Sequence, residues 1–370
     1  MAYSLASDGD FDIQNNYRRD DYARMGIYAT DRKQLNHGGE PGAHATPGHS
    51  VLVSIVGAPV AIWGGIRALR MVSLLLFLIS GPLLFLSFER LFPGRRENWI
   101  ALALYQWASP ALFMSGLFFS EMISCCLLAL SVLLLVRRDA DAWFALALGM
   151  LVPSHPRMAL MSITLGAAFL ADRAFVYPIR SRAYGLRVLA VGSAVAITVA
   201  WQLWQFGKLT GGTTANPLEF SGIQHLVRQM LQTNLGHRNG WTAYFPVWIL
   251  GVLGLLAGLG NFWGRRDEPG KDGSRKKAED LPFSVAVGSA AFLLCFLVYS
   301  IALILGDNGN APVARLWAPF SPLFAVGLCV FLNRFSRHRW AIWILAGSTG
   351  VWSLWSSFRF MLDPLKFWTG

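Results

Sequence analysis

The sequence predicts an all-α, polytopic integral membrane protein with about ten transmembrane helices and an extracytoplasmic first loop. Three observations predict it. Of 370 residues, 54% are hydrophobic and only 14% charged, where soluble domains carry about 25% charged residues. The hydrophobic residues gather in runs that approach the roughly 20 needed to cross a hydrocarbon core of about 30 Å. Those runs are continuous and rich in Leu and Ala, unlike the alternating strands of a membrane β-barrel.

Taken in order, the apolar runs place spans at 67–88, 99–115, 116–136, 142–156, 157–172, 186–206, 242–262, 283–305, 315–332 and 340–360. The stretch VLVSIVGAPVAIWGG (51–65) is short and interrupted by Gly and Pro. It reads as an interfacial helix over 51–66. The loops ERLFPGRREN, RRDAD, DRAFVYPIRSRAYGLR, GRRDEPGKDGSRKKAEDLP and RFSRHR hold more than half of the 32 Lys and Arg residues. Basic loops stay cytoplasmic, which places the interleaved set outside. The expected plan is an extracytoplasmic acidic loop (1–50), the interfacial helix, and a transmembrane domain (67–370). Its outer loops lie at 207–241 and 306–314, and its basic cytoplasmic loop at 263–282.

The predicted location is the inner (cytoplasmic) membrane, with the working surface facing the periplasm or outside. The net charge of +11 is then an orientation signal, and no nucleic-acid partner is predicted. Arg67 and Arg70 run against the scheme, since it puts them at an outer helix end. Cys125, Cys126, Cys295 and Cys329 all lie in apolar runs and read as small core residues with no metal motif.

The opening stretch SDGDFDIQNNY and the later HATPGHSVLVSIVGAPVAIWGG resemble the first external loop of bacterial polyprenyl-phosphate-dependent glycosyltransferases of the GT-C fold. The closest likeness is to family 39-like protein mannosyltransferases and their bacterial relatives. The matching positions are Asp8-Gly9-Asp10-Phe11-Asp12, Asn15-Asn16-Tyr17, Pro47-Gly48 and Ala58-Pro59. SPALFMSGLFFSE, HRNGWTAYFPVWILGVLGLL and GDNGNAPVARLWAPFSPLF are similar to further segments of the family, each more loosely. In that family a membrane span precedes the acidic loop. Here MAYSLAS stands in its place and reads as the tail of such a helix, so the expectation is a late start or a truncated fragment.

The resemblance implies transfer of a sugar from a polyprenyl-phosphate donor to a hydroxyl of a glycan, lipid or protein acceptor, with inversion. It implies that a first-loop carboxylate is the base, Asp10 or Asp12 first and Asp8 third. A carboxylate held near the membrane surface suits that work because partial desolvation raises its basicity. The competing reading of the run is an ordinary solvated loop. Asp8, Asp10 and Asp12, at two-residue intervals, can also offer hard oxygen ligands to Mg²⁺ or Mn²⁺, although no complete calcium loop follows.

Asn16 and Tyr17 join the substrate-binding candidates. For the phosphate the candidates are Arg157, His237, Arg238 and Arg315, since Arg binds phosphate in bidentate fashion; snorkelling to headgroups is their alternative. Glu121, in an apolar run near the outer face, is a site candidate because ionisable groups at membrane depth are expensive. An external site has no nucleotide-sugar pool, which favours a lipid-linked donor. The rival functions are a lipid or polysaccharide transporter or flippase, for which inverted repeats and midplane charges are missing, and a non-catalytic envelope-complex subunit.

Overall fold

Helix α1 (Val51–Leu91) has 41 residues, which at 1.5 Å per residue is about 60 Å, twice a hydrocarbon core. It does not run straight. Gly65 takes φ 52° and ψ −142°, a conformation open to glycine and strained for other residues. The kink divides α1 into an arm of about 21 Å and one of about 39 Å. The sequence suggests a separate short helix over 51–66; here the two pieces are joined end to end, with the bend at Gly65. In the longer arm Arg70 and Arg90 stand about 30 Å apart along the axis, with one other charged residue, Glu89, between them.

The computed structural model describes residues 6, 51–116, 120–137, 140–155, 158–176, 182–206, 241–263, 293, 315–336 and 339–362. Among them every regular element is helical and none is a strand. After α1 come α2 (Arg96–Trp107), α3 (Pro110–Ser115), α4 (Ser120–Val136), α5 (Asp141–Ser154), α6 (Met158–Val176) and α7 (Arg182–Phe206). Then follow α8 (Trp241–Tyr244), α9 (Val247–Trp263), a 3-10 helix (Arg315–Phe320), α10 (Ser321–Arg334) and α11 (Arg339–Leu362). Each expected span among the described residues falls on helix; the span at 283–305 lies outside them apart from Leu293. By length and apolar composition together, only Leu52–Leu91 qualifies among the described residues to cross a membrane.

Hydrogen bonds and close contacts set the directions. Between α1 and α2, Ser80 meets Tyr105, Phe85 meets Trp99 and Glu89 meets Asn98, so the pair is antiparallel. Asn98 reaches Asn333, which places the start of α2 beside the end of α10. A Cβ on Gly254 would lie 1.8 Å from the Gly327 carbonyl oxygen, and one on Gly251 would lie 2.5 Å from that of Phe324. Helices α9 and α10 therefore run parallel with their backbones in contact, the small-residue packing that serves where lipid removes any hydrophobic drive between helices. Trp263 and Arg315, which bracket the intervening chain, lie at opposite ends of this pair. Helices α5, α6 and α7 form a three-helix cluster in which α6 runs antiparallel to its neighbours, tied by Ser162 to Leu148 and Tyr184 to Leu170, while α5 and α7 pack directly in parallel with an ion pair between Arg187 and Asp141 at their starts.

The molecule thus has two ends. One carries the 92–95 turn with Arg90, Arg95, Arg96 and Arg334. The other carries Glu121 with Arg67, Arg70, Arg315 and Arg359.

Candidate functional site

Three interruptions of helix gather at the second end. The first lies at Ala108-Ser109, ahead of Pro110, which has no N–H to give. The second lies at Phe245-Pro246 between α8 and α9. The third is the 3-10 helix with Pro319, ahead of α10. Buried backbone that leaves the helix must find its hydrogen-bond partners elsewhere in the protein or in water. Here the protein provides them: Ala108, Ser109, Phe245, Trp317 and Phe320 are all buried.

At the second interruption the replacement partners can be named. A continuous helix would join the Val247 N–H to the Ala243 carbonyl. Instead Val247 N–H donates to Ser353 Oγ at 3.4 Å, and the Ala243 carbonyl accepts from Trp352 Nε1 at 2.8 Å. Helix α11 thus supplies both halves of the missing bond. Ser357 Oγ donates to the Ser109 carbonyl at 3.4 Å. The rings of Phe113, Phe245 and Phe360 stack, with centroids 4.9 Å apart for Phe113 and Phe360, so α3, the α8–α9 junction and α11 are fastened together.

Glu121 sits in the first turn of α4 with 2% of its surface exposed. An acidic side chain there is favoured by the helix dipole, yet so deep a carboxylate needs polar company. One turn on, Ser124 and Ser154 join α4 to α5 at 2.8 Å. Ser154 gives its proton to the Leu151 carbonyl at 2.5 Å, so Ser124 is the donor of the pair. Arg315 opens the 3-10 helix, and that element packs on both α3 and α4. The structure therefore brings the elements carrying Glu121 and Arg315 together. Ser109, fully buried, has a side-chain oxygen with no hydrogen-bond partner among the described residues.

The remaining sequence candidates lie outside the described residues: Asp8, Asp10, Asp12, Asn16, Tyr17, Arg157, His237 and Arg238. Cys125, Cys126 and Cys329 are free thiols, in keeping with a packing role; Cys295 lies outside the described residues. Among those residues no group of three or more His, Cys, Asp or Glu is placed to hold a metal.

Two buried polar clusters had not been singled out from the sequence. The Tyr105 hydroxyl lies 2.6 Å from Ser80 Oγ and 3.1 Å from Cys125 Sγ. Since Ser80 donates to the Phe77 carbonyl, Tyr105 donates to Ser80 and the Cys125 thiol donates to Tyr105. Asn98, fully buried, donates to Glu89 Oε1 at 2.8 Å and the Phe92 carbonyl at 2.7 Å, and accepts from Asn333 Nδ2 at 3.2 Å and Cys329 Sγ at 3.4 Å. Their signal was available: amides and phenols inside apolar runs seek one another across helices. No protein-family model, no curated protein and no solved structure matches this chain.

Proposed function

We propose that the chain is a multi-pass glycosyltransferase of GT-C type, which moves a sugar from a polyprenyl-phosphate donor to an extracytoplasmic acceptor hydroxyl with inversion. The observation that carries this reading is the acidic opening run, Asp8-Gly9-Asp10-Phe11-Asp12 followed by Asn15-Asn16-Tyr17, ahead of a bundle of apolar helices. The unequal ends of the bundle support the same orientation. Among the described residues Arg90, Arg95, Arg96, Arg137, Arg187, Arg334 and Arg339 lie toward one end and Arg67, Arg70, Arg315 and Arg359 toward the other, and the more cationic end faces the cytoplasm. On that basis the end with the helix interruptions, Glu121 and the Arg315 turn faces outward, on the side assigned to the acidic loop.

Membrane residence draws support from two helices. Arg70 and Arg90 in α1, and Arg339 and Arg359 in α11, each bracket about 30 Å of helix, one hydrocarbon thickness. The parallel course of α9 and α10 fits a further crossing at 283–305.

In the proposed reaction Asp10 or Asp12 accepts the proton of the acceptor hydroxyl. The hydroxyl oxygen bonds to the anomeric carbon from the face opposite the phosphate. The carbon–oxygen bond to the polyprenyl phosphate breaks, and the phosphate leaves with the electron pair. Arg315, with Arg157, His237 and Arg238 as further candidates, offsets its charge, and Glu121 orients the outer end from within. A divalent cation, Mg²⁺ or Mn²⁺, is a candidate aid at the acidic run.

The test is incubation of the purified protein with radiolabelled polyprenyl-phosphate sugars and candidate acceptors. Labelled product is expected from the wild type. Asp10→Asn or Asp12→Asn should lower turnover by about 100-fold or more, the scale of a lost general base. Equal turnover in the wild type and both variants removes the assignment of the base. Movement of intact lipid across the bilayer without a new glycosidic bond points to a flippase instead.

A further inference from the structure

At the end opposite the proposed reaction, the short connection from α1 to α2 is held with unusual care for a surface turn. Glu89 Oε2 accepts from the Gly94 N–H at 2.9 Å while its Oε1 accepts from Asn98. Asn98 also holds the Phe92 carbonyl and is gripped from α10 by Asn333, which itself donates to the Cys329 carbonyl at 2.9 Å. One network therefore fixes the end of α1, the turn, the start of α2 and the end of α10.

What this scaffold displays is cationic. Arg90, Arg95 and Arg96 are exposed on the turn, and Arg334, next to Asn333, is exposed on α10. Its guanidinium reaches the Ala257 carbonyl of α9. Arg95 and Arg96 occupy the N-cap and first position of α2, where the helix dipole disfavours positive charge. Trp99, 60% exposed, follows one turn later, at the depth where indoles settle between headgroups and acyl chains.

We infer that this turn is a built site for the phosphate of an anionic phospholipid, bound by Arg90, Arg95, Arg96 and Arg334, with Trp99 against the upper acyl chain. Guanidinium pairs with phosphate in bidentate fashion, and basic pockets between membrane helices hold acidic headgroups. General attraction to an acidic leaflet requires only charge. A turn fixed by Glu89, Asn98 and Asn333 adds geometry, and geometry selects one lipid position. The inference rests on the membrane reading above, but not on the transferase chemistry.

The experiment is native mass spectrometry of the full chain, released from detergent micelles doped equally with phosphatidylglycerol and phosphatidylcholine. The wild type is expected to retain phosphatidylglycerol preferentially. Arg90→Gln with Arg96→Gln should reduce that retention about tenfold. Arg67→Gln with Arg70→Gln, which removes the same charge from the other end of α1, should leave it unchanged. The proposal is overturned by absence of a headgroup preference, by equal loss in the two double variants, or by displacement of the lipid with millimolar inorganic phosphate. Recovery of the protein in membranes but without the preference defeats this inference alone. Recovery in the aqueous fraction of lysed cells defeats the membrane reading, and the lipid site with it.

Discussion

Asn98 shows what a single side chain does in this protein. Four hydrogen bonds meet on one fully buried amide. Asn98→Ala is expected to destabilise the purified protein by about 2–4 kcal/mol, because its loss takes a partner from Glu89, from the Phe92 carbonyl and from Asn333 Nδ2, which keeps the Cys329 carbonyl. Asn98→Asp should be worse than alanine at neutral pH, since it sets a second carboxylate against Glu89. Thermal melts of the three proteins check both the loss and its order. Tyr105→Phe should cost less, about 0.5–2 kcal/mol, because Ser80 keeps its bond to the Phe77 carbonyl. These polar positions are where single-residue reading had a usable signal, an amide or phenol inside an apolar run, and did not use it. The acidic run drew attention instead because its charges are dense and local. The reach of Asn98 to Asn333 depends on two distant helices ending at the same level, which neither stretch contains by itself.

At the scale of elements, the helices were legible and their partnerships were not. Charged loops and prolines punctuate apolar runs, so the expected spans fall on helices wherever the chain is described. Pro110, Pro246 and Pro319 account for three places where one expected span becomes two pieces of helix. Pairing is different. A helix surrounded by lipid is apolar on all sides, so no stripe announces which face meets protein.

The α9–α10 seam rests on glycines that look unremarkable in sequence. Gly254→Ala and Gly327→Ala should each push the helices apart and cost about 1–3 kcal/mol. Gly347→Ala, with nothing within 4 Å of its added Cβ, should be neutral or stabilise by up to about 1 kcal/mol through helix propensity. A melting series that ranks Gly347→Ala with the other two would exclude the seam. Ser353→Ala strands the Val247 N–H at the second interruption and should cost about 1–2 kcal/mol. A stability unchanged from wild type would show that α11 does not complete that bond.

Across the whole molecule, what matters is which end faces which compartment. The charge pattern set that expectation; the helix directions bring Arg90, Arg95, Arg96 and Arg334 to one end and Arg67, Arg70, Arg315 and Arg359 to the other, and the proposed orientation takes the first for the cytoplasmic face. Labelling of intact cells with a membrane-impermeant thiol reagent checks it. Pro93→Cys, on the exposed turn, should be protected until the cells are opened, whereas Ser7→Cys beside the acidic run should react at once. The reverse result would turn the molecule over and take the donor lipid away from the acidic loop. Most of the candidate residues lie outside the described ones; of the two that are described, Glu121 is buried in the first turn of α4 and Arg315 opens the 3-10 helix that packs on α4.

The glycine seam has one more implication, and it concerns time. Because α9 and α10 point the same way, they cannot fold together as a hairpin while the ribosome is still making them. The second half of the seam arrives only after the 51 residues of 264–314 have been made. A ribosome-stalled chain ending at Trp263 should therefore hold α9 loosely and leave Gly251 and Gly254 uncovered. Until α10 follows, α9 is open to a wrong neighbour.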